Sequence, residues 1–125
     1  MTAAALQYCV EPPAEPRWLV VCLCAEWCGT CRDYRGPMRE VATEFSAHAF
    51  AWIDIEDEVE LSGDIDIETF PTLLVLEGDQ VLFYGPMLPG ADGLRRLLRV
   101  LQENGPQPVT LDDEVLALVQ RLQTA

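Results

Sequence analysis

The spacing of apolar residues predicts a strand, a helix and a second strand in the first half of the chain. Residues 18–24 are apolar at every position, which is typical of a strand covered on both faces. Apolar residues at helical spacing then predict a helix from about Gly29 to Ala47, with a kink at Pro37 where a donor is missing. Residues 50–55 predict the second strand. This half of the chain therefore alternates strand and helix.

The second half predicts a hairpin followed by two helices. The hairpin covers residues 72–84, with its turn at 77–80. Leucines at helical spacing predict a helix over 92–103, which ends at Gly105. A last helix begins at Thr110 with acidic residues in its first turn. Its apolar stripe consists of Leu111, Val115, Leu118, Val119 and Leu122.

The N-terminal segment has little room for regular structure. Residues 5–10 predict a short edge strand, which the three prolines within residues 11–16 prevent from continuing. No signal peptide and no membrane span are expected, because basic and long apolar segments are missing. Without a repeat or a long linker, we interpret the chain as one domain over 1–125, with its core at about 18–104 and a helical extension over 110–124.

Composition narrows the class of protein. A chain of 125 residues, half of them apolar, suits one globular domain with its own core. The net charge of −13 argues against nucleic acid and against a membrane surface as partners. All five cysteines lie in the first quarter and cannot all pair, unlike the framework of a secreted disulfide-rich protein. We therefore expect a reducing, cytoplasmic location.

The main candidate chemistry is the Cys-x-x-Cys motif formed by Cys28 and Cys31, where a strand ends and a helix begins. Free N–H groups and the helix dipole favour a thiolate at Cys28, and Cys31 is close enough to attack a mixed disulfide. The same spacing suits half of a zinc site, but no cysteine follows, and His48 is the sole histidine. Redox chemistry without metal or cofactor is therefore favoured. A metal–thiolate site is the alternative; its ligands are Cys22, Cys24, Cys28 and Cys31.

Two charged stretches are interpreted as solvated surface. Eight carboxylates lie between Asp54 and Glu68, but their spacing does not match a calcium-binding loop. Three arginines, Arg32, Arg35 and Arg39, share one face of the first predicted helix. A solvated flank is favoured over a docking patch for this face.

The sequence resembles the thioredoxin family from about Leu19 to Leu101. The resemblance depends on Ala25-Glu-Trp-Cys-Gly-Thr-Cys31 and on Thr69-Phe-Pro-Thr72. It implies an α/β thioredoxin fold, with a central mixed sheet and helices on both faces. The family's first helix has too little room before residue 18 and is expected to be lost. The helix over 110–124 is extra.

The resemblance also implies roles for residues of the site. Cys28 is the implied nucleophile and Cys31 the resolving thiol, while Pro71 forms a cis peptide bond with Phe70 and faces them. Protein disulfides are the implied substrates, and a separate reductase supplies the electrons. The implied substrate groove consists of Trp27, Gly29, Thr30, Phe70, Pro71 and Met87.

Several positions depart from the family pattern. The family's buried aspartate falls at Cys22 and its partner lysine at Trp52, so both charges of that pair are replaced. Thr30 stands where proline is frequent. Cys22, Trp52 and Glu26 are expected to tune the redox pair. Cys22 and Cys24 share one face of the strand and are interpreted as small core hydrophobes, which is favoured over a third redox thiol, while Cys9 is interpreted as inert. The departures support an alternative, a thioredoxin-fold binding or assembly protein, and a monomer or weak homodimer is expected.

Overall fold

A computed structural model describes residues 7–24, 29–54, 72–78, 80–86 and 90–105, together with positions 116, 119 and 120. Strands and helices alternate in the first half of the chain, and a hairpin and a helix follow, as the apolar spacing predicts. In chain order the elements are β1 (Gln7–Tyr8), β2 (Leu19–Cys24), α1 (Gly29–Glu44), β3 (Ala49–Asp54), β4 (Thr72–Glu77), β5 (Gln80–Pro86) and α2 (Ala91–Asn104).

The five strands form one mixed sheet in the order β1-β3-β2-β4-β5. β2 is the central strand, parallel to β3 and antiparallel to β4, while β4 and β5 form the predicted hairpin. Residues Val20 to Leu23 have no exposed surface. The continuous apolar run is therefore a strand covered on both faces, as predicted.

β1 lies at the edge of the sheet and runs antiparallel to β3. Gln7 pairs with Trp52 and Tyr8 with Ala51, and the N–H of Cys9 donates to the carbonyl of Phe50 at 2.9 Å. The predicted edge strand is therefore present, but it ends at Tyr8 instead of Val10. Among the described residues that lead from β1 into β2 none is helical, in agreement with the expected loss of the first helix.

Helices α1 and α2 pack side by side on one face of the sheet. α1 continues through Pro37, and its last N–H bond runs from Phe45 to the carbonyl of Val41 at 3.0 Å. The helix thus ends at Glu44, and the predicted end at Ala47 is wrong because a turn at residues 46–47 leads directly into β3. α2 ends as predicted: Gly105 takes φ 78° and its N–H donates to Leu101.

Apolar side chains form a core on each face of the sheet. On the α1 and α2 face the helices contribute Tyr34, Met38, Val41, Leu94, Leu98 and Leu101. The opposite face buries Val21, Leu23, Ile53, Leu74 and Leu76. Side chains of β2 and β4 alternate between the two cores, as the period of two requires.

The C-terminal segment contributes to the second core. Residues 116, 119 and 120 are helical, and Val119 is only 5% exposed among the side chains of that core. Leu116, which the predicted stripe omits, is 44% exposed. The predicted helix therefore buries at least one stripe residue on its own sheet; the rest of the stripe lies outside the described residues. No helix within the described ranges is long and apolar enough to cross a membrane.

Candidate functional site

The strands next to the two sequence motifs, β2 before Cys-x-x-Cys and β4 after Phe-Pro, are neighbours in the sheet. β2 and its parallel neighbour β3 end together, with Cys24 paired to Asp54. β4 starts at the same edge because it is antiparallel, and its first residue, Thr72, pairs with Leu23 of β2. The end of the strand that leads into Cys-x-x-Cys thus lies next to the start of the strand that follows Phe-Pro. Ligands of open α/β sheets bind in the crevice beyond such carboxyl ends.

α1 begins directly after this edge. Gly29, Thr30 and Cys31 form its first turn, and Cys28 is the residue that precedes it in the sequence. The predicted start of the helix at Gly29 is confirmed, so the motif spans a helix N-terminus, where unpaired N–H groups favour an anion. The predicted site residues Glu26, Trp27, Cys28, Phe70, Pro71 and Met87 lie outside the described residues.

Cys22 and Trp52 are direct partners across β2 and β3. Cys22 has no exposed surface and Trp52 is 3% exposed. The two residues that stand in place of the family's buried charge pair are therefore buried next to each other. Burial raises the pKa of the Cys22 thiol far above its ordinary value of 9.0; the nearby Cys9 adds to the rise and Arg35 opposes it. The thiol is therefore protonated at neutral pH and cannot serve as a general base.

Arg35 is exposed, in agreement with the predicted solvated flank of α1, but its side chain also belongs to this region, a contact that the sequence analysis did not predict. Its guanidinium lies 4.9 Å from the centre of the Trp52 ring, a cation–π contact. A positive charge is thus present close to where the resembling family has a lysine, but α1 supplies it instead of β3. The helical spacing of the sequence indicates this position, because Arg35 follows Cys31 by four residues and therefore lies one turn further along the same helix face.

Tyr34 adds a buried hydroxyl below the start of α1. Its side chain has no exposed surface, and its Oη has no hydrogen-bond partner among the described residues. Burial raises the pKa of Tyr34, and the neighbouring Cys22 and Cys9 contribute. The indole Nε1 of Trp52 is likewise buried without a partner in the described part of the chain. Unpaired buried polar groups are rare in folded proteins and mark places of interest for function.

A half-open cavity of about 170 Å³ adjoins these residues beside β1, the outer strand of the sheet. Arg39 Nε donates to the carbonyl of Cys9 at 3.2 Å across one side of it. Burial raises the pKa of Cys9 to about 11, although Arg39 and Arg35 act in the opposite direction. Cys9 is therefore a weak nucleophile at neutral pH, as predicted. The cavity is lined by Tyr8, Cys9, Arg35, Arg39 and Trp52.

The metal–thiolate alternative concerns side chains of which most lie outside the described residues. Within the described ranges, no three His, Cys, Asp or Glu side chains come together as ligands for a metal ion. Of the four proposed ligands only the side chain of Cys22 is described, and it is buried in an apolar core.

The fold and the sequence at the start of α1 define the class: an α/β protein with a mixed sheet, in which a Cys-x-x-Cys sequence leads into a helix. A family model described as Thioredoxin matches residues 4–101. The chain belongs to the thioredoxin family.

Individual relatives agree with this assignment. A thioredoxin of Mycoplasma pneumoniae is 30% identical over 56 residues, and an H-type thioredoxin of Fagopyrum esculentum is 31% identical over 64 residues. These matches cover 45% and 50% of this chain, and the chain spans only 55% of the length of each relative. The crystal structure of Fasciola hepatica thioredoxin is similar in fold, with a TM-score of 0.59 at 22% identity over 68% of this chain and 81% of that one.

Proposed function

We propose that this chain is a thiol–disulfide oxidoreductase that reduces or exchanges protein disulfides through Cys28 and Cys31. The main support is the pairing of Leu23 with Thr72, which brings the strands next to the two motifs to one sheet edge beside the start of α1. Membership of the thioredoxin family supports the same chemistry. Five cysteines without a disulfide framework support a reducing, cytoplasmic setting.

The proposed reaction consists of two thiol–disulfide exchanges. The thiolate of Cys28 attacks one sulfur of the substrate disulfide, so a mixed disulfide forms and one substrate thiolate leaves and takes up a proton. The thiolate of Cys31 then attacks the sulfur of Cys28, which releases the second substrate thiol. Two electrons pass from the cysteine pair to the substrate, and a separate reductase returns them. No metal or organic cofactor takes part.

The second exchange is the slow one in this proposal. Cys31 must lose its proton before it attacks, and the thiol of Cys22, with its raised pKa, cannot accept it. The proton passes to water or to a nearby carboxylate, for which Glu26 is the candidate. A positioned general base is typically worth about 10²–10⁴-fold. Decay of the mixed disulfide is therefore expected to be slower than its formation at neutral pH, and to speed up as the pH rises.

The test uses a peptide disulfide as substrate and three full-length variants. Cys31→Ser is expected to trap a mixed disulfide with the peptide, Cys28→Ser to form none, and Cys9→Ser, the matched control, to react like the wild type. Stopped-flow measurement of adduct decay against pH tests the slow second step. Equal alkylation rates of Cys28 and Cys31, or no trapped adduct, contradict the oxidoreductase. Peptide binding without turnover instead supports the thioredoxin-fold binding or assembly protein.

A further inference from the structure

The cavity beside Trp52 combines two cations on one helix face. Arg35 and Arg39 are one turn apart on α1, and both line the cavity. In the described part of the chain neither forms an ion pair with a carboxylate, whereas Arg95 contacts Glu44 and Asp92. Like charges at this spacing repel each other. A bound anion between them relieves that repulsion.

The geometry leaves several donors of these arginines available. The guanidinium carbon of Arg35 lies 4.9 Å from the centre of the Trp52 ring, a cation–π contact that uses none of the five N–H donors of the guanidinium. Arg39 Nε donates to the carbonyl of Cys9. This hydrogen bond holds the side chain in place and leaves its two terminal nitrogens available to a ligand. The two forks suit the oxygens of a carboxylate or phosphate group.

The indole ring of Trp52 forms part of the same wall, but its Nε1 atom has no surface open to the cavity. Trp52 Nε1 is buried without a hydrogen-bond partner in the described ranges, and an indole N–H can only donate. None of the five described lining residues carries a carboxylate, so this part of the lining is positively charged in a protein whose net charge is −13. The described lining of the cavity thus combines the donors of two arginines with no acidic side chain.

We propose that this cavity is a binding site for a small oxyanion, a phosphate or carboxylate group held by Arg35 and Arg39. The site lies on α1 one turn beyond Cys31, and it does not depend on the redox function of the cysteine pair. Tyr8, 37% exposed, forms an apolar wall that a larger organic anion can contact. The volume of about 170 Å³ limits the ligand to a small molecule or a single anionic group.

The test is a titration of the full-length Cys28→Ser/Cys31→Ser variant with inorganic phosphate and with citrate, at constant ionic strength set by chloride. Removing the redox cysteines keeps this outcome separate from that of the proposed function. Calorimetry is expected to show saturable binding, and the tighter of the two probes identifies the phosphate or the carboxylate class. Because a hydrogen bond to a charged group is worth about tenfold in affinity, Arg35→Gln/Arg39→Gln is expected to lose about 100-fold.

The matched control is Arg96→Gln/Arg99→Gln, which removes the same charge from exposed positions of α2 that do not line the cavity. It is expected to bind like the parent. Arg35→Lys/Arg39→Lys keeps the charge without the forks and is expected to bind more weakly than the parent. Melting in chloride alone shows that each variant folds.

Alkylation of Cys9 supplies a second readout. An anion that neutralises Arg35 and Arg39 removes the two charges that oppose the rise of the Cys9 pKa, so alkylation is expected to slow as the site fills. The proposal is overturned if neither probe binds saturably, or if both double glutamine variants lose affinity equally. It is also overturned if the parent binds an anion only after the acidic residues that follow Asp54 are replaced by their amides. In that case carboxylates of the chain itself occupy the cavity.

Discussion

Two buried tryptophans of the described residues, Trp18 just before β2 and Trp52 in β3, differ in what their indole N–H groups bind. Trp18 and Trp52 are each 3% exposed, and each has an arginine over its ring, Arg17 at 5.6 Å and Arg35 at 4.9 Å. Trp18 Nε1 donates to Glu77 Oε2 at 3.1 Å, and Arg17 lies 3.7 Å from the same carboxylate oxygen. Trp52 Nε1 has no such partner among the described residues.

This difference concerns the two indole N–H groups, since at the Trp18 end His48 Nδ1 is also buried without a partner among the described residues. At the Trp18 end, the carboxylate of Glu77 compensates both the indole and the cation, and the Trp18 ring stacks on His48 with centroids 4.5 Å apart. At the Trp52 end, the cation faces a cavity and the buried donor is left over. Stability alone favours the first arrangement, since an unpaired buried donor is costly. The second arrangement leaves the cation of Arg35 beside an open cavity, as the proposed anion site requires.

The largest effect on stability is expected when a carboxylate is placed at either of two buried positions of β2. Cys22→Asp and Val20→Asp both bury a charge on the same face of the sheet, because both side chains have no exposed surface. Without a compensating partner a buried charge costs about 3–5 kcal/mol. Arg35 lies near position 22, so we expect Cys22→Asp to be the less destabilised variant in urea unfolding. Equal losses would show that Arg35 does not compensate charge there.

A carboxylate at position 22 is also expected to speed decay of the mixed disulfide at neutral pH, because it can accept the proton of Cys31. Cys22→Ala is the control, since it removes the thiol and adds no base. If Cys22→Ala accelerates the decay as much as Cys22→Asp, loss of packing and not proton transfer is responsible.

The next effect isolates the indole N–H groups themselves. Trp18→Phe and Trp52→Phe remove similar volume from buried sites, but only Trp18→Phe breaks a hydrogen bond to a carboxylate. Because Glu77 is half exposed, we expect Trp18→Phe to be less stable than Trp52→Phe by about 1 kcal/mol in urea unfolding at neutral pH. The reverse order would mean that Trp52 has a stronger partner than Trp18.

The smallest effect is expected from acidification of the Trp18 end. Burial lowers the pKa of His48 below its ordinary value of 6.5; Arg17 acts in the same direction and Glu77 against it. As the pH falls from 6.5 toward the lower folded-state pKa, the unfolded chain binds more protons, so the folded state loses stability. Above 6.5 the imidazole is neutral in both states and contributes no pH dependence. Comparison of wild type with His48→Phe across this window isolates the effect, which is absent if His48 titrates normally.

Local patterns predicted most of the elements. The apolar run before Cys24 is a strand because both of its faces are covered, and the spacing of Leu94, Leu98 and Leu101 matches the buried side of α2. The end of α2 at Gly105 could be predicted because only a residue that tolerates positive φ fits there. The end of α1 could not be predicted in this way, because the turn after Glu44 depends on where β3 enters the sheet.

Of the candidate site, the sequence by itself determined the Cys-x-x-Cys at a helix start and the family pattern from which Cys22 and Trp52 depart. These features depend on residues close together in the chain. Only the tertiary structure decided that Arg35 covers Trp52 and that Cys9 closes the cavity with Arg39. That arrangement requires β1 to pair antiparallel with β3 and α1 to pack across both. Such contacts join segments far apart in the chain, and no local period specifies them.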